Sequence, residues 1–184
     1  SIYAAAIFKY ITNEINCNMK IVLDSSSLIL LAKIEMLDIV AENFDCIITK
    51  DVEKESTGRG DLQDAKVIKR FIKHGIIKVE TAKPTGNIEY EFRLGRREAS
   101  ALALALRKKS ILATDDKSAI NACKIFGVKF VTAVDFVIRA FEKGKITNEE
   151  ARTKISKLDE YGRYETEIIK ASLSKIGDKN EQGS

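Results

Sequence analysis

Six carboxylates in this 184-residue chain stand where an α/β fold could put them to use. Asp24 directly follows the apolar run Ile21–Leu23, and Asp115 and Asp116 follow the run Ile111–Ala113. Glu53 and Glu55 lie in a helical stretch after a third run, Cys46–Thr49, and Glu98 falls in the first turn of a helix beginning near Gly95. Other chemistries have little material. The single histidine, His74, precedes Gly75 in the manner of a helix C-terminus, which removes Ser-His-Asp, Cys-His and multi-histidine zinc sites. Cys17, Cys46 and Cys123 are too far apart for a zinc knuckle and odd in number, so they read as small core residues of a reducing cytoplasm. Carboxylate oxygens without His or Cys select Mg²⁺ or Mn²⁺. Such ions hold phosphate oxygens and lower the pKa of bound water, which favours in-line hydrolysis of a phosphodiester.

Each acid also has a plain structural explanation. Asp24, Asp115 or Asp116 could cap the helix that follows, and Glu98 could answer a helix dipole. Taken together they weigh differently, because four or five carboxylates on one rim repel unless a cation sits among them. Ser26 could orient a carboxylate or serve as a cap. Rival phosphate signatures fail: the Asp-x-Asp of a haloacid-dehalogenase-type phosphatase has Ser26 in its second place, and neither GxxxxGK[ST] nor GxGxxG occurs.

The elements that would position these acids alternate along the chain. Strands are expected at Lys20–Leu23, Cys46–Thr49, Ile76–Val79, Ile111–Ala113 and Lys129–Val131. Between them lie helices at Ser26–Lys33, Met36–Phe44, Asp51–Ser56, Asp61–His74, Gly95–Lys108 and Lys117–Phe126, with a turn-rich connection at Thr81–Asn87. The helix from Gly95 is strongly periodic, with Ala99, Leu102, Ala103 and Leu106 on one face. Three more helices follow at Ala133–Lys143, Asn148–Tyr161 and Glu165–Ile176. This order predicts an α/β fold, a three-layer α/β/α arrangement around a parallel sheet of about five strands, plus C-terminal helices. Open sheets of this kind gather ligands beyond the carboxyl ends of their strands, where the acids fall.

Composition bounds the rest. With 45% hydrophobic and 32% charged residues, one proline and ten glycines, the chain reads as one compact soluble domain rather than a disordered or low-complexity chain. The longest apolar run, around Ala99–Leu106, is broken by Ser100 and falls short of the ~20 residues of a membrane span, so no membrane is expected. A net charge of +4 permits contact with nucleic acid. Arg93, Arg96 and Arg97 precede Glu98 and could clamp phosphates or simply be solvated. Lys66, Lys69, Arg70 and Lys73 form a stripe that reads as a solvent-facing helix surface, and Arg107-Lys108-Lys109 as compensation for a helix dipole. Aromatic residues make up 7% with no Trp, which argues against an extensive base-stacking platform.

Three segments together, Lys20-Ile-Val-Leu-Asp24-Ser-Ser26-Ser-Leu28-Ile29, Gly95-Arg-Arg-Glu98-Ala-Ser-Ala-Leu and Thr114-Asp-Asp116, resemble the PIN-domain family. That family comprises metal-dependent nucleases, among them VapC-like toxins of toxin–antitoxin pairs and ribosomal RNA-processing enzymes. The resemblance spans about Met19–Phe141. The tail Gly144–Gly177 resembles that of a little-characterised prokaryotic branch with a Leu-Gly-x-x-Glu motif. It implies catalytic Asp24, Glu98 and Asp116, with Glu55 and Asp115 as further metal ligands and Ser26 and Thr114 in support. Glu53 is an alternative to Glu55 as the second acid. It further implies an endoribonuclease using one or two Mg²⁺ or Mn²⁺ ions, an RNA substrate contacted by Arg93, Arg96 and Arg97, an antitoxin partner for toxin members, and a homodimer. The expected organisation is an N-terminal extension over 1–18, helical and amphipathic at 2–15; a PIN-like nuclease domain over 19–143; a helical extension over 144–177, packed on the domain or a dimer mate; and a frayed tail over 178–184. A non-catalytic module that binds nucleic acid or protein is the alternative.

Overall fold

The computed structural model describes residues 19–83, 93–162 and 164–177. The helix expected at 2–15, most of the connection at 81–87 and the tail at 178–184 lie outside the described residues.

Five strands, β1 (Lys20–Leu23), β2 (Asp45–Thr49), β3 (Ile77–Glu80), β4 (Ile111–Ala113) and β5 (Phe130–Val131), form one sheet in the order β3-β2-β1-β4-β5. Every pair is parallel. The strands are short and nearly uniformly apolar because helices cover both faces. Ile21, Val22, Leu23, Ile48 and Leu112 are fully buried. The described helices are α1 (Ser25–Lys33), α2 (Leu37–Asn43), α3 (Lys50–Gly58), α4 (Gln63–Lys73), α5 (Arg96–Lys108), α6 (Lys117–Phe126), α7 (Ala133–Glu142), α8 (Asn148–Tyr161) and α9 (Thr166–Gly177). Right-handed crossovers put α1–α4 on one face of the sheet and α5–α6 on the other. The contacts agree: α1 packs on α3 and α4, and α5 packs on β1, β2, β4 and α6. The chain is a three-layer α/β/α structure around a five-stranded parallel sheet.

Helix α5 is buried without a break from Ala99 to Ala105, more than one periodic stripe requires. Its alanines let it approach the sheet closely, and it also meets α3 and α6. Strand β3 begins at Ile77, one residue later than the apolar run, because pairing with β2 starts at Cys46↔Ile77 and leaves Ile76 44% exposed.

At the C-terminal end, α8 lies against α7 and α9 through Ala151, Ile155 and Leu158, all fully buried. Capping boxes start α7 (Thr132 with Asp135) and α8 (Thr147 with Glu150). Lys154 Nζ donates to the carbonyls of Ile34, at 2.7 Å, and Glu35, at 3.3 Å, which joins α8 to the turn after α1. No described helix is long and apolar enough to cross a membrane.

Candidate active site

Asp24 is the first residue beyond β1, at the centre of the sheet, and is fully buried. Its amide donates to the Ala113 carbonyl at 3.0 Å, which continues the β1–β4 ladder by one residue and brings Asp24 beside Thr114. The carboxylate works as the N-cap of α1, accepting from Ser27 N at 3.0 Å, but that accounts for one contact of three. Ser26 Oγ donates to Oδ1 at 2.7 Å, and the Thr114 hydroxyl donates to Oδ2. Burial pushes the Asp24 carboxyl up to about 7, against the three hydrogen bonds that favour its charged form.

The same hydroxyls reach the other acids. Thr114 Oγ1 accepts the amide of Asp116 at 3.2 Å, and Ser26 Oγ accepts that of Asp115 at 2.9 Å. Asp116 caps α6 by accepting from Ala119 N at 2.8 Å. Asp115 is otherwise engaged. It accepts from Ser27 Oγ, from the Tyr164 hydroxyl, and from Ala133 N at 3.1 and 3.2 Å. Burial raises its pKa even so, and burial with the adjacent Asp115 charge drives the Tyr164 phenol far above its ordinary range. Asp115 therefore stitches α1, β4, the start of α7 and the α8–α9 connection together at one point.

A second group forms where α5 begins. Thr49, the last residue of β2, shares a 2.8 Å hydrogen bond with Ser100 Oγ and so ties the first turn of α5 to the carboxyl edge of the sheet. Nearby, Arg97 Nη1 lies 2.5 Å from Glu55 Oε1, and its Nε lies 3.9 Å from Glu98 Oε1. Arg96 pairs with Asp51 at 3.4 Å, so two arginines clasp two acids one turn apart on α3. Glu98 folds back over the helix N-terminus, so a Cβ at Gly95 would meet its Oε2 and the glutamate side chain would have to shift. Arg93 is exposed, with φ 51°. Among the described residues, the hydrogen bonds of Glu53 outside the helix ladder run through its carbonyl, which accepts from the Ser56 and Thr57 hydroxyls.

The structure thus brings Asp24, Ser26, Thr114, Asp115 and Asp116 into one hydrogen-bonded network, and Glu55, Glu98 and Arg97 into another. No described hydrogen bond or ion pair joins the two. As placed, no group of three or more His, Cys, Asp or Glu side chains among the described residues is close enough to hold a metal ion. Three buried oxygens in this region nevertheless lack a hydrogen-bond partner: Ser25 Oγ, Glu55 Oε2 and Glu98 Oε2. Two of them are carboxylate oxygens, so the residues present fit a hard divalent cation in donor type.

Sequence reasoning missed Ser27, Tyr164 and the Thr49–Ser100 bridge. The run Ser25-Ser26-Ser27 was the signal for the first. The position of Tyr164 in the short connection between the two expected C-terminal helices was the signal for the second. Cys123 and Cys46 are buried thiols pushed up to about 12, mainly by burial and secondarily by the charges of Asp24 and Asp45. Neither is a nucleophile.

A family model described as "DUF3368: PIN domain" matches residues 20–178. No curated protein matches. Among solved structures, the chain is similar to a PilT N-terminus domain protein, SSO1118, from the hyperthermophilic archaeon Sulfolobus solfataricus P2. The two share 21% identity and a TM-score of 0.49, over 67% of this chain and 95% of that one. It is also similar to PAE2754 from Pyrobaculum aerophilum, at 20% identity and a TM-score of 0.47, over 66% of this chain and 96% of that one. The family match, running almost from the first strand to the last helix, leads to one conclusion: this chain belongs to the PIN-domain family.

Proposed function

We propose that this protein is a divalent-metal-dependent endoribonuclease. A PIN domain is a nuclease-type fold, and PIN nucleases generally use divalent metals. The observation that carries the reading is the pair of buried, unpartnered carboxylate oxygens on Glu55 and Glu98, on the same sheet edge as Asp24 and Asp116. Arg97 meets only one oxygen of each glutamate, and the buried oxygens left open beside it are costly without a further cation.

In this reading Asp24, Glu98 and Asp116 are the principal ligands of Mg²⁺ or Mn²⁺, with Glu55 in support. A bound ion supplies the charge that makes a coordinated water nucleophilic at neutral pH and steadies the departing oxygen. The chain's own residues do the rest. Ser26 and Thr114 hold Asp24 in one orientation, and Arg93 and Arg96 meet backbone phosphates of the RNA. Asp115, assigned by resemblance as a ligand, fits better as the residue that fixes Asp116, because its oxygens already accept from Ser27, Tyr164 and Ala133. Residues 19–143 carry the catalytic domain in this reading, and 144–177 form its helical extension. The same proposal extends to a cytoplasmic toxin with an antitoxin partner and to a homodimer, as in toxin members of the family.

The second reading is a non-catalytic PIN module that binds nucleic acid or protein. The complete burial of Asp24 favours it. The Asp24→Asn variant separates the two. It should fold as the wild type does and lose at least about 100-fold in Mn²⁺-dependent RNA cleavage. Equal cleavage by both proteins removes the assigned site. Metal-independent RNA binding with no cleavage under Mg²⁺ or Mn²⁺ establishes the module instead.

A further inference from the structure

Resting on the metal site proposed above, we infer that Arg97 is an exchangeable counter-ion: the guanidinium that pairs with Glu55 and Glu98 is the cation a divalent ion must displace, and once displaced it serves a substrate phosphate. Three observations carry this. First, one guanidinium addresses both acids, at 2.5 Å to Glu55 Oε1 and 3.9 Å to Glu98 Oε1. Second, it reaches only those oxygens. Oε2 of each glutamate is buried without a partner, so Arg97 leaves the pair half-neutralised and open to a stronger cation. Third, the side chains differ in freedom. Arg97 is 45% exposed, whereas Glu55 is 28% and Glu98 16% exposed. The arginine is the most solvent-exposed of the three and so the one freest to move.

Electrostatics sets the direction. A divalent ion held by Glu55 and Glu98 would share with the guanidinium the two acids it now pairs with, and like charges on shared partners repel in a partly desolvated site. Arg97 and the ion therefore exclude each other. A released guanidinium at the start of α5 presents a planar fork suited to a phosphate's two oxygens. Arg96 is different: 77% exposed and paired with Asp51 at the periphery, it faces no unpartnered oxygen.

The test uses the full chain and Mn²⁺ alone, with free Mn²⁺ read by electron paramagnetic resonance. Arg97→Gln should tighten Mn²⁺ binding about fivefold, the size of a half-exposed ion pair removed from competition. Arg97→Lys, which keeps the charge, should return most of the way to wild type. In parallel, single-stranded RNA binding is compared in EDTA and in Ca²⁺. The wild type should gain affinity with the ion, and Arg97→Gln should not. Unchanged or weaker Mn²⁺ binding by Arg97→Gln overturns the exchange while leaving the metal site standing. An equal Ca²⁺-dependent gain in both proteins overturns the transfer to phosphate. A wild-type chain that binds no Mn²⁺ sinks the site and the exchange together.

Discussion

Thr114 gives its hydroxyl proton to Oδ2 of Asp24 and takes the amide proton of Asp116 on the same oxygen, so one side chain fixes the acid beyond β1 relative to the acid that caps α6. Both carboxylates are caps, and Thr114, itself fully buried, ties the Asp24 carboxylate to the Asp116 backbone. Thr114→Val keeps the shape and removes both bonds. It should destabilise the chain by about 1–3 kcal/mol, since a buried carboxylate oxygen and a backbone amide each lose a partner. Urea denaturation of the two proteins at pH 7 checks this, and Thr114→Ser should recover most of the loss.

The Asp24 carboxyl, raised by burial from 3.8 to about 7, makes stability depend on pH in an unusual direction for an acid. Between these values the folded chain binds a proton that the unfolded chain has released. Stability without added metal is therefore fully present below about pH 4 for this group, falls as pH rises toward 7, and is flat above. The loss is of the order of 4 kcal/mol at most. Urea midpoints measured in EDTA from pH 4 to 8 should fall more steeply for the wild type than for Asp24→Asn. Adding Mn²⁺ should narrow the gap at pH 8 and leave it unchanged at pH 5.

Tyr164 is the contact by which the α8–α9 connection reaches the site. Tyr164→Phe removes the donor to Asp115 Oδ1 and leaves that oxygen with the Ala133 amide alone. A cost of about 1–3 kcal/mol follows. It should appear with faster amide exchange in α9, because among the described residues the polar contacts then left to the connection and α9 are the exposed Lys117–Glu165 ion pair and the Asn148–Ile176 hydrogen bond, beside the core packing of Ile169 and Ile176.

The two described thiols should be silent. Burial and neighbouring carboxylates hold Cys46 and Cys123 as neutral thiols at pH 8. In a Cys17→Ser chain, Ellman's reagent should find neither in the native state and both in denaturant. Fast native labelling of Cys123 would mean that the region around Asp24 opens readily.

Much of the fold is legible in the residues themselves. The bounds of β1, β4, α6 and α8 match the apolar runs and periodicity to the residue, since each begins after a clear cap or ends at a clear break. Less legible is what two distant elements do where they meet. Asp24 looks like either a cap or a ligand in the sequence; in the fold it is a cap that carries two further hydrogen bonds. Arg97 reads as a phosphate contact because it precedes Glu98, yet it is bound to Glu55, 42 positions earlier, through the approach of α5 to α3. Asp115 reads as an auxiliary ligand because it adjoins Asp116. Its actual partners, Ser27 and Tyr164, are 88 residues before it and 49 residues after it. Local periodicity cannot encode such encounters, since they depend on the order of strands rather than on the spacing of neighbours.

The ammonium of Lys154 bears on how this chain can be cut. Trimming it after α7 would strip the cation from the carbonyls of Ile34 and Glu35 and bare the side of α7 now sheltered by α8. It would also take Tyr164 away from Asp115. A shortened version ending there should be prone to clumping and slack at the very rim it was meant to isolate, so the last two helices are structural keystones rather than an optional appendage.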